Sequence, residues 1–218
     1  MKGFITIVLF AALSLNAISQ EEGDFHYFSA GPFFALKGGS NGGYTPEGRN
    51  NAAIFNGLPD FGFTLFYPLG EESDLGLTMD LAYTTYAYKV EGVDVNYDAD
   101  CKYSYISFAP NMHYNGFIAG LNFGLPVDNS FGDKLSSDKL NFMVEIRLGY
   151  FYPLLNDEVG SLNLFLQAGY MLTGIYSDFV KDDPLRTTIP PTFPEKFTNK
   201  YNPRAVSILI GLNYLLNL

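Results

Sequence analysis

The sequence contains one cysteine, no tryptophan and only two histidines among its 218 residues. Because Cys101 has no second cysteine to pair with, an internal disulfide framework is excluded. Basic residues are also scarce, since 13 lysines and arginines stand against 23 aspartates and glutamates. A net charge of −10 argues against a nucleic-acid partner, because binding the phosphate backbone requires basic patches.

The shortage of histidine also bears on catalysis. His26 and His113 are both predicted at strand ends far from the long loops, whereas a hydrolase or acyltransferase site would be expected at the loop rim. No histidine adjoins Cys101 in sequence to activate its thiol. We therefore expect no enzymatic activity, no catalytic or metal-binding residues, and no cofactor.

Long apolar runs are missing except at the N-terminus. There Lys2 precedes the apolar run 4–15, and the small residues Ala17 and Ser19 follow it. This arrangement is typical of a cleaved export signal. We predict a signal peptide at residues 1–19 and one domain at residues 20–218, with an anchored N-terminal helix as the alternative.

Aromatic residues are abundant, at 17% of the chain, and they follow a period of two. The clearest case is the segment 141–152, NFMVEIRLGYFY. Phe142, Val144 and Ile146 fall on one face, while Glu145 and Arg147 fall on the other. A period of two predicts a β-strand with one wholly apolar face and one partly charged face.

The same alternation recurs along the chain and predicts about eight strands. These strands are placed at residues 26–37, 59–68, 74–89, 102–113, 117–125, 141–152, 161–175 and 204–218. Their connections alternate between short turns (69–73, 114–116, 156–160) and long loops (38–58, 90–101, 126–139, 176–202). Short turns at one end and long loops at the other predict an all-β fold, a transmembrane up-and-down antiparallel β-barrel with short periplasmic turns and long extracellular loops.

Polar side chains on the inward-facing positions predict a network inside the barrel. Its candidate members are Asp80, Glu145, Arg147, Asn122, Gln167 and Asn213. An eight-stranded barrel is just wide enough for side chains to fill it, and buried charges require partners. With bulky Phe33, Tyr86, Phe151 and Phe165 also facing inward, we expect a plugged lumen. A gated ion path or proton relay is the alternative.

Aromatic residues also cluster on outward faces near the short-turn end. The set comprises Tyr67, Tyr114, Phe117, Tyr150, Tyr152 and Tyr214. Rings in such positions are typical of an aromatic girdle at a membrane interface.

Two of the long loops are candidates for binding. The acidic loop 94–100 places aspartate or asparagine at every second residue, as at the start of a calcium-binding loop. It lacks that motif's glycine, replaced by Ala99, and its bidentate glutamate, replaced by Tyr105, so a solvated acidic loop is the simpler interpretation. The loop 176–202, rich in proline, phenylalanine and basic residues, could contact a protein partner or a surface ligand, or be simply exposed.

Taken together, the export signal, the strand layout and the C-terminal strand 205–218 resemble the small outer-membrane β-barrel family of Gram-negative envelopes, OmpA-like or PorT-like. The resemblance covers nearly all of the chain after the signal. It implies localisation in the outer membrane, contact with outer-membrane lipid and lipopolysaccharide, and handling by the barrel-insertion machinery. The family usually ends in an aromatic residue, whereas this chain ends in Leu218.

Members of that family share a barrel but differ in role, so three functions stay open. The first is a structural or surface-interaction barrel with a plugged lumen. The second is a narrow, porin-like channel for small solutes or ions. The third is a soluble exported barrel that binds an apolar ligand as lipocalins do.

Overall fold

The computed structural model describes residues 28–45, 49–69, 75–92, 98–130, 140–176 and 202–218. The predicted signal peptide, His26, the start of the acidic loop and nearly all of the loop 176–202 lie outside the described residues. Within the described ranges, no helix is long and apolar enough to cross a membrane, a finding that does not concern crossing by strands.

The described part of the chain forms one antiparallel sheet. Its strands are β1 (Ser29–Asn41), β2 (Arg49–Ala52), β3 (Ile54–Phe55), β4 (Asp60–Pro68), β5 (Leu75–Gly92), β6 (Asp98–Tyr114), β7 (Phe117–Ser130), β8 (Met143–Asn156), β9 (Gly160–Met171) and β10 (Ala205–Asn217). Strands β1 and β4 to β10 pair in chain order, and β10 pairs back with β1. This closed ring of eight antiparallel strands confirms the predicted up-and-down barrel.

The register of the pairs sets the stagger of the barrel. A path that steps from each residue to its direct partner on the next strand leaves β1 at Gly39. After one turn around the ring it returns to β1 at Ser29. The path passes through Ser207, Gly169, Arg147, Gly120, Asn111, Thr78 and Phe66. The sheet is therefore staggered by ten residues on closing, which requires strands tilted by roughly 35–45° to the barrel axis.

Side chains alternate between the lumen and the outer surface, as the period of two predicts. In β8, Met143 and Glu145 are completely buried, whereas Ile146 is 42% exposed and Leu148 is 60% exposed. The same alternation of buried and exposed positions runs along β4, β7 and β10. The outer surface is consequently apolar, and the polar side chains of these strands face the interior.

Short turns join the strands at one end of the barrel. Between β6 and β7, Asn115 and Gly116 both have positive φ angles, 46° and 79°, as a two-residue hairpin turn of type I′ requires. Between β8 and β9, the carboxylate of Asp157 accepts hydrogen bonds from the backbone N–H groups of Val159 and Gly160. These turns bring successive strands into the antiparallel pairing that the ring needs.

The structure corrects the predicted boundaries at the long-loop end. Strand β1 continues to Asn41, and the short strands β2 and β3 lie in the predicted loop 38–58. Strand β5 runs to Gly92 and β6 begins at Asp98, so most of the predicted loop 90–101 extends the β5–β6 hairpin. Backbone pairing does not require an apolar face, so a strand can continue where both of its faces are polar. The hydrophobic alternation therefore ends before the strands do.

Candidate functional site: the interior of the barrel

Glu145 is the centre of a polar cluster in the middle of the lumen. Its Oε2 accepts a hydrogen bond from Arg147 Nε at 2.7 Å, and both side chains are buried. The same oxygen accepts from the hydroxyl of Tyr86 at 2.7 Å and from the amide of Asn122 at 3.0 Å, while Oε1 accepts from Ser207 Oγ at 3.2 Å. Because these donors come from β8, β5, β7 and β10, the carboxylate joins strands on different sides of the barrel.

A second buried ion pair, which the sequence analysis missed, lies beside the first. Lys37 Nζ on β1 is 2.5 Å from Asp60 Oδ2 on β4, and it also donates to the hydroxyl of Thr84. The ammonium lies 3.9 Å from the centre of the Tyr86 ring, which favours a cation. Lys37 is four residues after Phe33, so extending the alternation of β1 by two steps would have placed it inside.

Asp60 also ends the pairing between β4 and β5. The backbone ladder stops at Phe61 and Tyr83. Beyond it, Asp60 Oδ1 accepts from the backbone N–H of Thr85 at 2.9 Å, and Oδ2 accepts from Thr84 Oγ1 at 2.5 Å. A side chain thus satisfies a donor that a paired strand would otherwise satisfy.

Asp80 and Gln167, two more predicted members, line a cavity together with Arg147. Asp80 accepts from Thr64 Oγ1 at 2.7 Å and from the amide of Asn111. Among the described residues no ion pair joins Asp80 to Arg147, although both face this cavity of about 10 Å³. That volume is roughly the room of one water molecule.

Asn213, the remaining predicted member, lies nearer the short-turn end of β10. Its Oδ1 accepts from the amide of Asn163 at 3.0 Å, and that amide also donates to Ser161 Oγ. All six predicted polar side chains are therefore buried inside the barrel. Asn213 pairs with Asn163 rather than with Glu145, but it lines the same cavity as Asp80, Arg147 and Gln167.

Below the polar layer, toward the short turns, aromatic rings form a floor, defined here as Phe66, His113, Phe151, Phe165 and Phe33. Successive ring centres in this series lie 5.4, 6.0, 5.7 and 6.0 Å apart. The spacing and the mostly edge-on angles are those of favourable aromatic packing. His113, predicted only as the last residue of a strand, is thus an interior residue of the floor.

Above the polar layer, toward the long loops, a cap of buried apolar and tyrosine side chains fills the mouth. Its members are Tyr86, Tyr88, Val90, Cys101, Tyr103, Tyr105, Leu140, Met143, Met171, Ile175, Tyr176 and Ala205. The hydroxyls of Tyr103 and Tyr176 are hydrogen-bonded at 2.6 Å. Leu140 and Tyr176 also pair their backbones, so the bases of two long connections are joined across the cap.

The predicted aromatic girdle lies on the outer surface. Tyr67, Tyr114 and Phe117 are more than half exposed. Phe117 packs against Tyr150, with ring centres 4.9 Å apart. The other two members, Tyr152 and Tyr214, also reach the surface.

A second group of outward aromatics, which the sequence analysis did not assign to a girdle, lies toward the long-loop end. Phe61 stacks on Tyr83 at 5.4 Å, and Phe123 stacks on Phe142 at 6.2 Å. Phe61, Tyr83 and Phe123 occupy outward positions of their strands, and Phe142 directly precedes β8 with the parity of its outward residues, so the alternation accounts for all four. Outward aromatics thus flank the apolar surface at both ends.

The acidic stretch does not form the predicted loop where it is described. Asp98 and Asp100 belong to β6 and pair with Glu91 and Lys89 of β5. In the part of the chain that the structure covers, no group of three or more histidine, cysteine or acidic side chains is placed to hold a metal ion.

The sequence matches no family model, and a search of curated proteins finds no significant match. Among solved structures, the chain is similar to the outer membrane protein OprG from Pseudomonas aeruginosa. The identity is 15% and the TM-score 0.35, over 89% of this chain and 100% of OprG. It is also similar to Ail, the attachment invasion locus protein of Yersinia pestis, in complex with the heparin analogue sucrose octasulfate. Here the identity is 11% and the TM-score 0.35, over 87% of this chain and 99% of Ail. Likeness at this level carries no inference about role.

Proposed function

We propose that the protein is an integral outer-membrane β-barrel with a structural or surface-interaction role and a lumen plugged by its own side chains. The observation that carries the proposal is the continuous apolar surface around the ring. Leu36, Leu81, Ile106, Leu148 and Ile210, from five different strands, are each 48–60% exposed. A monomer in water rarely exposes so wide an apolar surface, whereas lipid requires it.

The height of this apolar belt favours contact with a membrane over contact with a protein partner. On β5 the outward residues are apolar or aromatic from Leu75 to Tyr83, and the next one is Thr85. On β6 they are apolar from Tyr114 to Ile106, and the next is Ser104. Each stretch is nine residues long, and about 9–11 residues suffice for a tilted strand to cross a bilayer.

Closure of the sheet supports the same proposal. In lipid every backbone N–H and C=O group has to find an internal partner, so a spanning sheet must have no free edge. The pairing of β10 with β1 removes the edge of this one. A closed ring and the predicted export signal at residues 1–19 together favour the outer membrane of a Gram-negative bacterium.

The filled interior favours a structural or interaction role over the two alternatives. A channel needs a continuous column of water, but the floor, the two buried ion pairs and the cap follow one another along the lumen and fill it. A lipocalin-like protein needs an apolar cavity, but the cavity beside Arg147 is about 10 Å³. We also propose no catalytic role, because His113 packs between the rings of Phe66 and Phe151. The OmpA-like or PorT-like assignment remains a prediction.

The partners we propose follow from this location. The belt would contact outer-membrane lipid and lipopolysaccharide, and the barrel-insertion machinery would have to assemble a sheet of this kind. A protein partner or surface ligand would be met by the loop 176–202, whose first residue, Tyr176, belongs to the cap.

The test is extraction followed by electrophoresis. After expression with its own N-terminal segment, the protein should stay in the envelope fraction until detergent is added. Unheated samples should then migrate differently from boiled samples, because a closed barrel resists unfolding in detergent. Recovery in the soluble fraction without detergent would refute the proposal.

A further inference from the structure

A polar notch interrupts the outer surface at the upper edge of the apolar belt. It encloses about 70 Å³, several times the roughly 10–15 Å³ that one water molecule needs. Strands β5, β6 and β7 all contribute to it. The lining residues that matter here are Tyr83, Thr85, Lys102, Ser104, Asp128 and Leu58.

The notch lies where β5 changes its pairing partner. Pairing between β4 and β5 ends at Tyr83, and β5 pairs again, with β2, only from Lys89 onward. Between these two stretches, β3 stays attached to β1, and the amide of Asn56 donates to the backbone carbonyl of Thr85 at 2.6 Å and to its hydroxyl at 2.8 Å. Gly57, with φ of 74°, bends the chain beside this gap in the pairing.

The notch faces the exterior rather than the lumen. Thr85 continues the outward series of β5 that ends with Leu81 and Tyr83. Ser104 and Lys102 continue the outward series of β6 that begins with Ile106. The outward side chains therefore change from apolar to polar at this point, which is the level at which lipid headgroups would lie.

The chemistry of the notch suits a phosphorylated headgroup. Lys102 supplies an ammonium group, and Ser104 and Tyr83 supply hydroxyl donors, all of which bind phosphate oxygens. Asp128 supplies a carboxylate that can accept from a hydroxyl or amide of a sugar. Beside the notch, Phe55 is 77% exposed and Leu58 is 59% exposed, so both offer apolar surface to a bound lipid.

We propose that this notch binds the phosphorylated sugar headgroup of an outer-leaflet glycolipid. The proposal rests on the outer-membrane location proposed above. A lipid is favoured over free phosphate because Leu81 and Ile106 lie directly below the notch and would meet the acyl chains of the same molecule. Lys102 binds the phosphate, and Asp128 binds the sugar.

Native mass spectrometry of the full barrel in neutral detergent micelles tests the site. The probe is a bis-phosphorylated glucosamine disaccharide lipid, compared with its dephosphorylated form and with inorganic phosphate. One saturable copy of the phosphorylated lipid should bind. Lys102→Gln should weaken that binding about tenfold, since a hydrogen bond to a charged group is worth a factor of about ten or more. Tyr83→Phe should weaken it less.

Lys89→Gln is the matched control. Lys89 lies on the same β5–β6 hairpin and also loses one positive charge, but it pairs with Glu91 outside the notch. It should leave lipid binding unchanged. Equal binding by wild type and Lys102→Gln would overturn the inference, as would equal binding of the dephosphorylated lipid or displacement of the lipid by inorganic phosphate.

Electrophoresis of the same samples separates this inference from the proposed function. A barrel that inserts and shows heat-dependent migration but binds no phosphorylated lipid refutes the notch alone. A chain that forms no detergent-resistant barrel refutes the proposed function, and the inference falls with it.

Discussion

Individual charged residues inside this barrel are held by bonds that cross from one strand to another. Lys37 and Asp60 lie on neighbouring strands, and both are almost fully buried. A buried ion pair contributes little compared with an apolar replacement, but removing one partner leaves an uncompensated charge in a medium of low polarity. The single substitution should therefore be far more harmful than the joint one.

We predict that Lys37→Met lowers the free energy of unfolding by about 3–5 kcal/mol, because Asp60 loses its cation. The double variant with Asp60→Asn should lose less unfolding free energy than the two single variants lose in sum, since the residues are coupled. Equilibrium unfolding in urea, with the barrel in lipid vesicles, measures these differences.

The control for this pair is Lys89→Met. Lys89 and Glu91 form a partly exposed ion pair with a longer contact of 3.4 Å, and ion pairs at the surface contribute about 0–1 kcal/mol. If Lys37→Met proved as mild as Lys89→Met, the charge of Asp60 would not depend on Lys37 for compensation.

At the scale of a single strand, β8 shows how depth in the proposed bilayer should matter. Ile146 lies in the apolar belt and is exposed, whereas Leu155 is exposed beside a short turn. We predict that Ile146→Arg destabilises the inserted barrel by about 2–4 kcal/mol, while Leu155→Arg costs about 0–1 kcal/mol. Unfolding from lipid vesicles measures both. Equal costs would show that lipid does not surround the belt.

The hairpin between β6 and β7 allows a comparison of two glycines. Gly116 and Gly57 both have positive φ angles, 79° and 74°. A Cβ on Gly116 would lie 2.8 Å from the carbonyl oxygen of Phe151, whereas one on Gly57 meets nothing within 4 Å.

We predict that Gly57→Ala costs about 1 kcal/mol from the left-handed backbone alone and that Gly116→Ala costs more. The difference between the two free energies of unfolding isolates the close approach to Phe151. A Gly116→Ala variant no less stable than Gly57→Ala would show that the turn relaxes away from the neighbouring strand.

For the whole molecule, the floor and the cap close the lumen in series. The floor alone or the cap alone should suffice to block ions, because a hydrophobic constriction excludes ions even where the rest of the path is polar. Opening either one should therefore change little, while opening both should expose the polar layer to water from the two ends.

We predict negligible conductance for the wild-type protein in planar bilayers. Tyr103→Ala in the cap and Phe151→Ala in the floor should each remain nearly silent, and steady conductance should appear only when Arg147→Ala also opens the polar layer between them. Leu148→Ala, on the outer surface, is the control and should stay silent. A steady, large wild-type conductance would instead favour the channel alternative.

The sequence by itself determined where the eight barrel strands lie, except for their long-loop ends, and which face each of their residues takes. The reason is that a strand has a period of two, so alternation assigns Ile146 outward and Glu145 inward without knowledge of any neighbour. It also located the turn at Asn115 and Gly116, since few residues tolerate a positive φ. These features are local in the chain, and local patterns suffice for them.

Only the tertiary structure decided which inward residues meet. Lys37 reaches Asp60, and Glu145 reaches Ser207, because the closed sheet is staggered by ten residues. That stagger is set by the register of all eight pairs together, which no single segment encodes. For the same reason, the cap, the floor and the notch beside Tyr83 became visible only once the ring had closed.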